Sequence, residues 1–332
     1  MGIRNSDLRP QPKGDNVAVP ILREMSREEL TRLYSNFPGA ETGVDHFREL
    51  LKRPRNLMEA LEAELPPNLV ASLPRSFDIV GDVAVVELPP ELQSHERLVG
   101  EAIISVQPRI RTVLAKAGPV KGESRVREYH RMAGSGPAET LHREHGGVFK
   151  VDLSKAYFSP RLSGEHIAVA SQVQEDETVV DMFAGVGPFS ILIARRLNRV
   201  KVFSIDLNPE AIGYLSENIR MNRVQSKVIP ILGDIRLIVR QQLKGEADHV
   251  IMNLPERAKD FIDVGCEALK TSGGRFHYYT FAQGLDCLEA ARQELENGIR
   301  SSGRKLVAIT RVKTVRPTAP REWQVVVDAE IR

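Results

Sequence analysis

The chain has 332 residues, 42% of them hydrophobic and 27% charged, with a formal net charge of +2 at neutral pH. That length corresponds to about two domains at roughly 150 residues each, with enough apolar content for buried cores. No apolar run reaches the roughly 18–20 residues of a membrane span, two cysteines exclude a disulfide framework or a Cys-rich zinc site, and the near-balanced charge leaves any affinity for nucleic acid to a local patch.

The start, MGIRNSDLRPQPKGDN, is too polar for a secretory leader and fits a myristoylation pattern only loosely, so a reducing, cytoplasmic setting is expected. Residues 1–20 read as a polar, proline-rich tail. SREELTRLYSNF and GVDHFRELLKR then place apolar residues three and four apart behind capping residues, which predicts short helices between residues 26 and 65. Residues 1–66 are accordingly assigned to a helical, proline-rich N-terminal segment of undetermined role.

From Leu73 the texture changes. SFDIVGDVAVVEL alternates like two strands turning at Gly81-Asp82, and SHERLVGEAIISV is an amphipathic helix. Between residues 109 and 131 stand Arg109, Arg111, Lys116, Lys121, Arg125, Arg127 and Arg131, opposed by Glu123 and Glu128 only. Residues 67–168 are therefore expected to form a smaller α+β domain whose basic patch can grip phosphates, although a solvated charged face is the ordinary reading of any single cation there.

Beyond residue 177, short apolar runs (TVVDMF, KVFSID, KVIPIL, ADHVIMN, RFHYYT) alternate with helical stretches, the pattern of a parallel sheet with crossover helices. The end, KLVAITRVKTVRPTAPREWQVVVDAEI, holds two extended runs around a proline-containing turn. Seven strands with a terminal antiparallel hairpin are the architecture of Rossmann-like class I methyltransferases, which is the fold class expected for residues 169–332.

In such a sheet a ligand lies at the carboxyl ends of the strands, against the first strand-to-helix turn. Here that turn is DMFAGVGPF, where Gly185 and Gly187 let the backbone approach a ligand without a Cβ in the way. The order is not the GxGxxG of dinucleotide enzymes. An acid at the end of the strand, Asp181, suits a cationic ligand carrying amino and hydroxyl donors rather than a pyrophosphate, and S-adenosyl-L-methionine has those features. Asp206 ends the second strand, where a carboxylate can accept both ribose hydroxyls; Asp234 ends the third, near the adenine position. Each alone is as readily a helix cap; three at corresponding strand ends point to the cofactor. Phe183 within the turn is assigned to the same set. Asn253-Leu254-Pro255 ends the fourth strand and resembles the motif by which methyltransferases hold a planar nitrogen nucleophile.

GESRVREY, TLHREHGGVFKVDLSKAYFSPRLSGEH, VVDMFAGVGPFSI, SIDLNPEAIGYLSENIRMNRV and MNLPERA together resemble the archaeal and eukaryotic tRNA (guanine-N1)-methyltransferases, which modify the guanosine at position 37 next to the anticodon. The resemblance runs from about residue 73 to the end. Methylating guanine N1 requires a base for its proton and a cationic or donor group for the charge that builds on O6. The resemblance implies Glu165 as that base, Arg125 at O6, Asn253 holding the guanine, and Tyr157 and Pro255 packed near guanine or cofactor, with Arg161, Arg127 and Lys121 as further substrate contacts.

It also implies a tRNA partner held at its anticodon stem-loop, with the target base flipped out, and a monomer that meets no membrane. His142 and His145 lack the spacing of a zinc site, and no metal is expected. Two alternatives remain open: methylation of a wyosine precursor at the same nucleotide, and methylation of another nucleic-acid nitrogen such as an exocyclic amine. A third class, a catalytically silent RNA-binding protein, fits poorly with the intact set of acids. Relatives carry an N-terminal β-rich domain that docks on the tRNA elbow, and the helical reading of residues 1–66 leaves that contact in doubt.

Overall fold

The computed structural model describes residues 3–5, 7–48, 54–118 and 127–332. Strands β1 (Gln11–Lys13) and β2 (Asn16–Ala18) form an antiparallel hairpin, extended by a bridge between Arg4 and Ile21. The proline-rich tail is therefore a small β element: Gly14 sits at φ +60° in a two-residue Gly-Asp turn, a conformation that hairpins favour. Helix α1 (Arg27–Asn36) follows where expected, closed at its start by a capping box between Ser26 and Glu29. Residues 43–48 are not helical, against expectation; the rest of that predicted helix lies outside the described residues. Main-chain and side-chain bonds from Arg9, Gln11 and Lys13 tie residues 45–48 to the hairpin instead.

Next come α2 (Leu57–Leu61), α3 (Pro67–Ala71), β3 (Asp78–Val80), β4 (Val83–Val86), α4 (Glu96–Val106), β5 (Thr112–Lys116) and β6 (Tyr129–Gly134). Strands β3 to β6 form a sheet in that order, with β4 and β5 parallel and joined by the α4 crossover. Ala84, Val86, Val113 and Ala115 face a core shared with Leu57, Leu61 and Leu65, so these leucines pack with this unit, which reaches past the expected boundary at residue 66. The opposite face, through Val83, Val85 and Leu114, joins the core of the larger domain. Being buried on both faces, β4 needs no polar alternation, and its sequence VAVV shows none.

The hairpin β7 (Glu139–Glu144) and β8 (Gly147–Asp152) leads through a 3-10 turn at Pro160–Leu162 to α5 (Ser163–Ala170). The larger sheet then builds from β9 (Thr178–Asp181), α6 (Pro188–Arg196), β10 (Lys201–Asp206), α7 (Pro209–Met221), β11 (Val228–Leu232), α8 (Ile235–Ile238), β12 (His249–Met252), α9 (Ile262–Ala268), β13 (Gly274–Gln283), α10 (Cys287–Ser301), β14 (Leu306–Ala319) and β15 (Glu322–Ile331). Its order is β11-β10-β9-β12-β13-β15-β14, with β15 antiparallel to both neighbours. The seven strands and terminal hairpin match the expected class. Strand order reverses at β9, which creates a crevice at its carboxyl end.

One contact fixes that crevice's wall. Asn218 and Asn222 of α7 bond both the N–H and the C=O of Lys150 and Val148 on β8, at 2.6–3.0 Å, as a neighbouring strand would. Asn218 also donates to the Val186 carbonyl in the glycine turn, at 3.0 Å.

Candidate active site

A cavity of about 340 Å³ opens at the carboxyl ends of β9, β10, β11 and β12, within the size range of small-molecule sites. Gly185 takes φ +56° and Gly187 φ +90°, and a Cβ on Gly187 would stand 2.3 Å from Leu215 Cδ1, so the turn tolerates only glycine there. The freed backbone is used at once. The Gly185 N–H donates to Asp206 Oδ2 at 2.7 Å, and the Asn208 N–H donates to Oδ1 at 2.9 Å. Asp206 lines the cavity, where a ribose diol would need an acceptor.

Asp234 lines the far end, where it caps α8 and is forked by Arg236, whose hydrogen bonds hold its carboxyl below the usual range. Beside it Phe183 meets Phe261 edge-on at 5.1 Å, and Leu207 and Ile235 complete an apolar slot suited to a planar base.

Other expected residues stand elsewhere. Asp181 does not line the cavity: it is wholly buried behind the turn, where Oδ2 accepts from the Ser190 hydroxyl at 2.7 Å and Oδ1 has no hydrogen-bond partner. Burial pushes its pKa up to about 7. Pro255 is also buried behind the wall, while Asn253 and Leu254 face the cavity. Gly187 acts from beneath, as the cap of α6.

At the open end, Tyr157 and Asn253 are joined through two side chains that the sequence did not single out. Arg316 donates to the Tyr157 hydroxyl at 3.0 Å and to Gln324 Oε1 at 2.9 Å, and Gln324 Nε2 donates to Asn253 Oδ1 at 3.4 Å. Glu165 sits on α5 between Leu162 and His166, which line the cavity, but its own carboxylate turns toward the sheet and is 2% exposed. Oε2 accepts from Arg311 at 2.9 Å and from the Tyr279 hydroxyl at 3.2 Å; Oε1 pairs with Lys313 at 2.7 Å. The signal for these cations was spacing: Arg311 and Lys313 are two apart on β14, and a register shift before Arg316 re-aims the strand.

The basic stretch is less uniform than its sequence. Arg111 is consumed by structure, forked on Asp82 and bonded to the Ser135, Pro137 and Glu139 carbonyls. Lys116 pairs with Glu87, and Arg131 bonds the Gly136 carbonyl. Arg161 is committed to Asp78 on β3, a bond between the two units rather than a cavity contact. Arg127 stands near Glu87, whose carboxyl is held low first by Lys116 and then by Arg127 and Arg161. Arg125 and Lys121 lie outside the described residues. Among the described residues no group of three potential ligands is placed to hold a metal ion.

Residues 140–307 match the family described as the TRM5/TYW2 methyltransferase domain, and residues 57–137 match the TYW2 N-terminal domain. The tRNA (guanine(37)-N(1))-methyltransferase Trm5b of Pyrococcus abyssi is 38% identical over 293 residues, covering 88% of this chain and 85% of the relative. The tRNA 4-demethylwyosine(37)-methyltransferase Taw21 of Saccharolobus solfataricus is 34% identical over 256 residues, covering 76% of this chain and 93% of the relative.

Among solved structures, a complex of aTrm5 with tRNALeu superposes with TM-score 0.80 at 31% identity, over 99% of this chain and 93% of that one. A complex of Methanocaldococcus jannaschii TYW2 with AdoMet superposes with TM-score 0.60 at 30% identity, over 77% and 99% respectively. With the glycine turn, the ribose-type carboxylate and the strand order already in place, these matches settle the lineage: the chain belongs to the TRM5/TYW2 family of class I methyltransferases.

Proposed function

We propose that the protein transfers a methyl group from S-adenosyl-L-methionine to N1 of guanosine 37 in tRNA. The observation that carries this reading is the convergence, at one end of a cofactor-sized cavity, of Tyr157, Asn253 and the helix bearing Glu165. The residues fit the cofactor: Asp206 takes the ribose hydroxyls, the slot beside Phe183 and Ile235 takes the adenine, and the positive-φ turn admits the methionyl portion. When bound, S-adenosyl-L-methionine supplies an electrophilic methyl for a nitrogen nucleophile.

The protein's own residues prepare that nitrogen. Asn253, held by Gln324, and Tyr157, held by Arg316, fix the plane of a flipped guanine. Glu165 takes the N1 proton. Of its partners, Lys313 reaches it from a half-exposed position, so an incoming base can displace Lys313 while Arg311 stays. Arg125 meets the charge on O6. The tRNA is held at its anticodon stem-loop, with Arg127 and Lys121 among its contacts; the enzyme acts as a cytoplasmic monomer.

The test is methyl transfer to unmodified transcripts carrying G or A at position 37, followed by nucleoside analysis. 1-Methylguanosine from the G transcript alone is expected, and Glu165→Gln should lower the rate by about 10²–10⁴-fold. Equal methylation of both transcripts would place the target elsewhere. An exocyclic amine attacks with its own lone pair, so an unimpaired Glu165→Gln enzyme would favour that alternative. The match of residues 57–137 to a TYW2 N-terminal domain and the likeness to Taw21 support a second reading, methylation of a wyosine precursor, read by the same assay on tRNA carrying 4-demethylwyosine.

A further inference from the structure

A row of buried charged and polar side chains crosses the sheet behind Glu165. Arg311, Asp328 and His277 are register partners across β14, β15 and β13, and His249 stands diagonally beyond on β12. Each contact is short. Arg311 Nη2 holds Glu165 at 2.9 Å and its Nε holds Asp328 Oδ2 at 2.7 Å. Asp328 Oδ1 lies 3.0 Å from His277 Nδ1, His277 Nε2 lies 3.0 Å from His249 Nδ1, and His249 Nε2 lies 3.0 Å from Glu177 Oε2. His277, Asp328, His249 and Glu165 are all at most 2% exposed.

Counting protons gives the row its meaning. Three contacts link the carboxylates of Asp328 and Glu177 through two imidazoles, and each needs one hydrogen. Two neutral imidazoles bring two. The third is an added proton, which makes one ring cationic. The row is then balanced: Glu165, Asp328 and Glu177 are negative, and Arg311, Lys313 and one histidine are positive. Burial lowers the pKa of His277, and His249 Nε2 faces the Glu177 carboxylate. The surroundings agree: Gln172 donates to Asp328 at 2.9 Å, Tyr279 to Glu165, and Arg275 stands near Glu177 on the exposed side.

We propose that His249, His277, Asp328 and Arg311 are positioning residues that fix the Glu165 carboxylate and couple its placement to the proton shared by the histidine pair. This rests on Glu165 being the base. Arg311 carries no proton onward, because guanidinium does not deprotonate, so the row positions rather than relays. When the shared proton leaves, one link opens, Asp328 loses part of its balancing charge, and Arg311 is drawn from Glu165 toward Asp328.

The experiment is single-turnover methyl transfer by the full-length enzyme at saturating cofactor and tRNA, from about pH 6 to 8.5, where histidine titrates. Wild type should lose rate as pH rises through the titration of the pair. His277→Phe should be about 10–100-fold slower with that alkaline limb abolished, its affinity for S-adenosyl-L-methionine within about twofold of wild type. His277→Gln, which restores a donor toward Asp328, should recover most of the rate. A His277→Phe profile of wild-type shape, with loss that follows only melting temperature, would overturn the proposal.

Nitrogen-15 shifts of the histidine rings in the wild-type protein give a reading that needs no variant to fold: one cationic and one neutral ring are expected at the acid end of that range, and two neutral rings there would overturn it. A Glu165→Gln enzyme at full rate is a different result, and it would remove the base assignment itself.

Discussion

The two halves of the larger sheet hold their chemistry in different ways. On the β9–β11 side, the cofactor cavity is built by main-chain groups and carboxylates close in sequence: the Asp206 carboxylate is fixed by the N–H of Gly185 and of Asn208. On the β12–β14 side, Glu165 is fixed by side chains 114 and 146 residues away, all but Lys313 mostly or wholly buried and linked by charge. A site made of local turns tolerates change in its surroundings. One made of buried counter-charges depends on every member.

The sharpest way to break the comparison is Arg311→Met. It leaves Glu165 and Asp328 buried without their shared cation, and a loss of about 3–5 kcal/mol is expected in denaturant unfolding. A loss below about 1 kcal/mol would show that the β14 side is no more interdependent than the other. On the cofactor side, Asp206→Ala removes the acceptor of two main-chain bonds and a carboxylate that lines the cavity. Binding of S-adenosyl-L-methionine should weaken by about 100–1000-fold in calorimetry. The melting temperature should move far less than for Arg311→Met.

The smallest effect belongs to Asp181 and depends on pH. Its pKa is raised by burial from 3.8 to about 7, so the folded protein keeps a proton there that the unfolded chain has released. Stability is then full below about pH 4, falls as pH rises toward about 7, and stays lower above it. Asp181→Asn should remove that fall, adding about 2–4 kcal/mol at pH 8 and almost nothing at pH 4. Equal gains at both values would mean that the gain is in packing rather than charge.

The same contrast explains what the sequence disclosed. DMFAGVGPF, SIDLNP and ILGDIR carry their acids and glycines within one strand-turn-helix each, so fold and cofactor site were legible together. Glu165 was legible only through family resemblance, and the spacing of Arg311 and Lys313 could put two cations on one face of a strand without indicating what they face, because nothing near SPRLSGEH points to RVK on β14 or to the histidines of β12 and β13. Two other differences have local causes. Strands of three residues around Gly14-Asp15 are too short to show alternation, which hid the first hairpin. Arg111, in the basic stretch, looks like a phosphate contact in sequence but is held by Asp82 and carbonyls in the fold, and Arg161 pairs with Asp78. Charge density along a chain does not reveal which charges are already spoken for.

The two asparagines of α7 have a mechanical consequence. The helix begins at Asn208, beside Asp206, and Asn218 and Asn222 clasp β8 along its outer edge. No further strand can add to that edge, because its hydrogen-bonding groups are already saturated by amides. The chain leaving β8 runs directly to Tyr157 and Glu165. The helix thus acts as a strut: the segment that carries Asp206 and the segment that leads to Glu165 share one stiff member, which holds the distance between them.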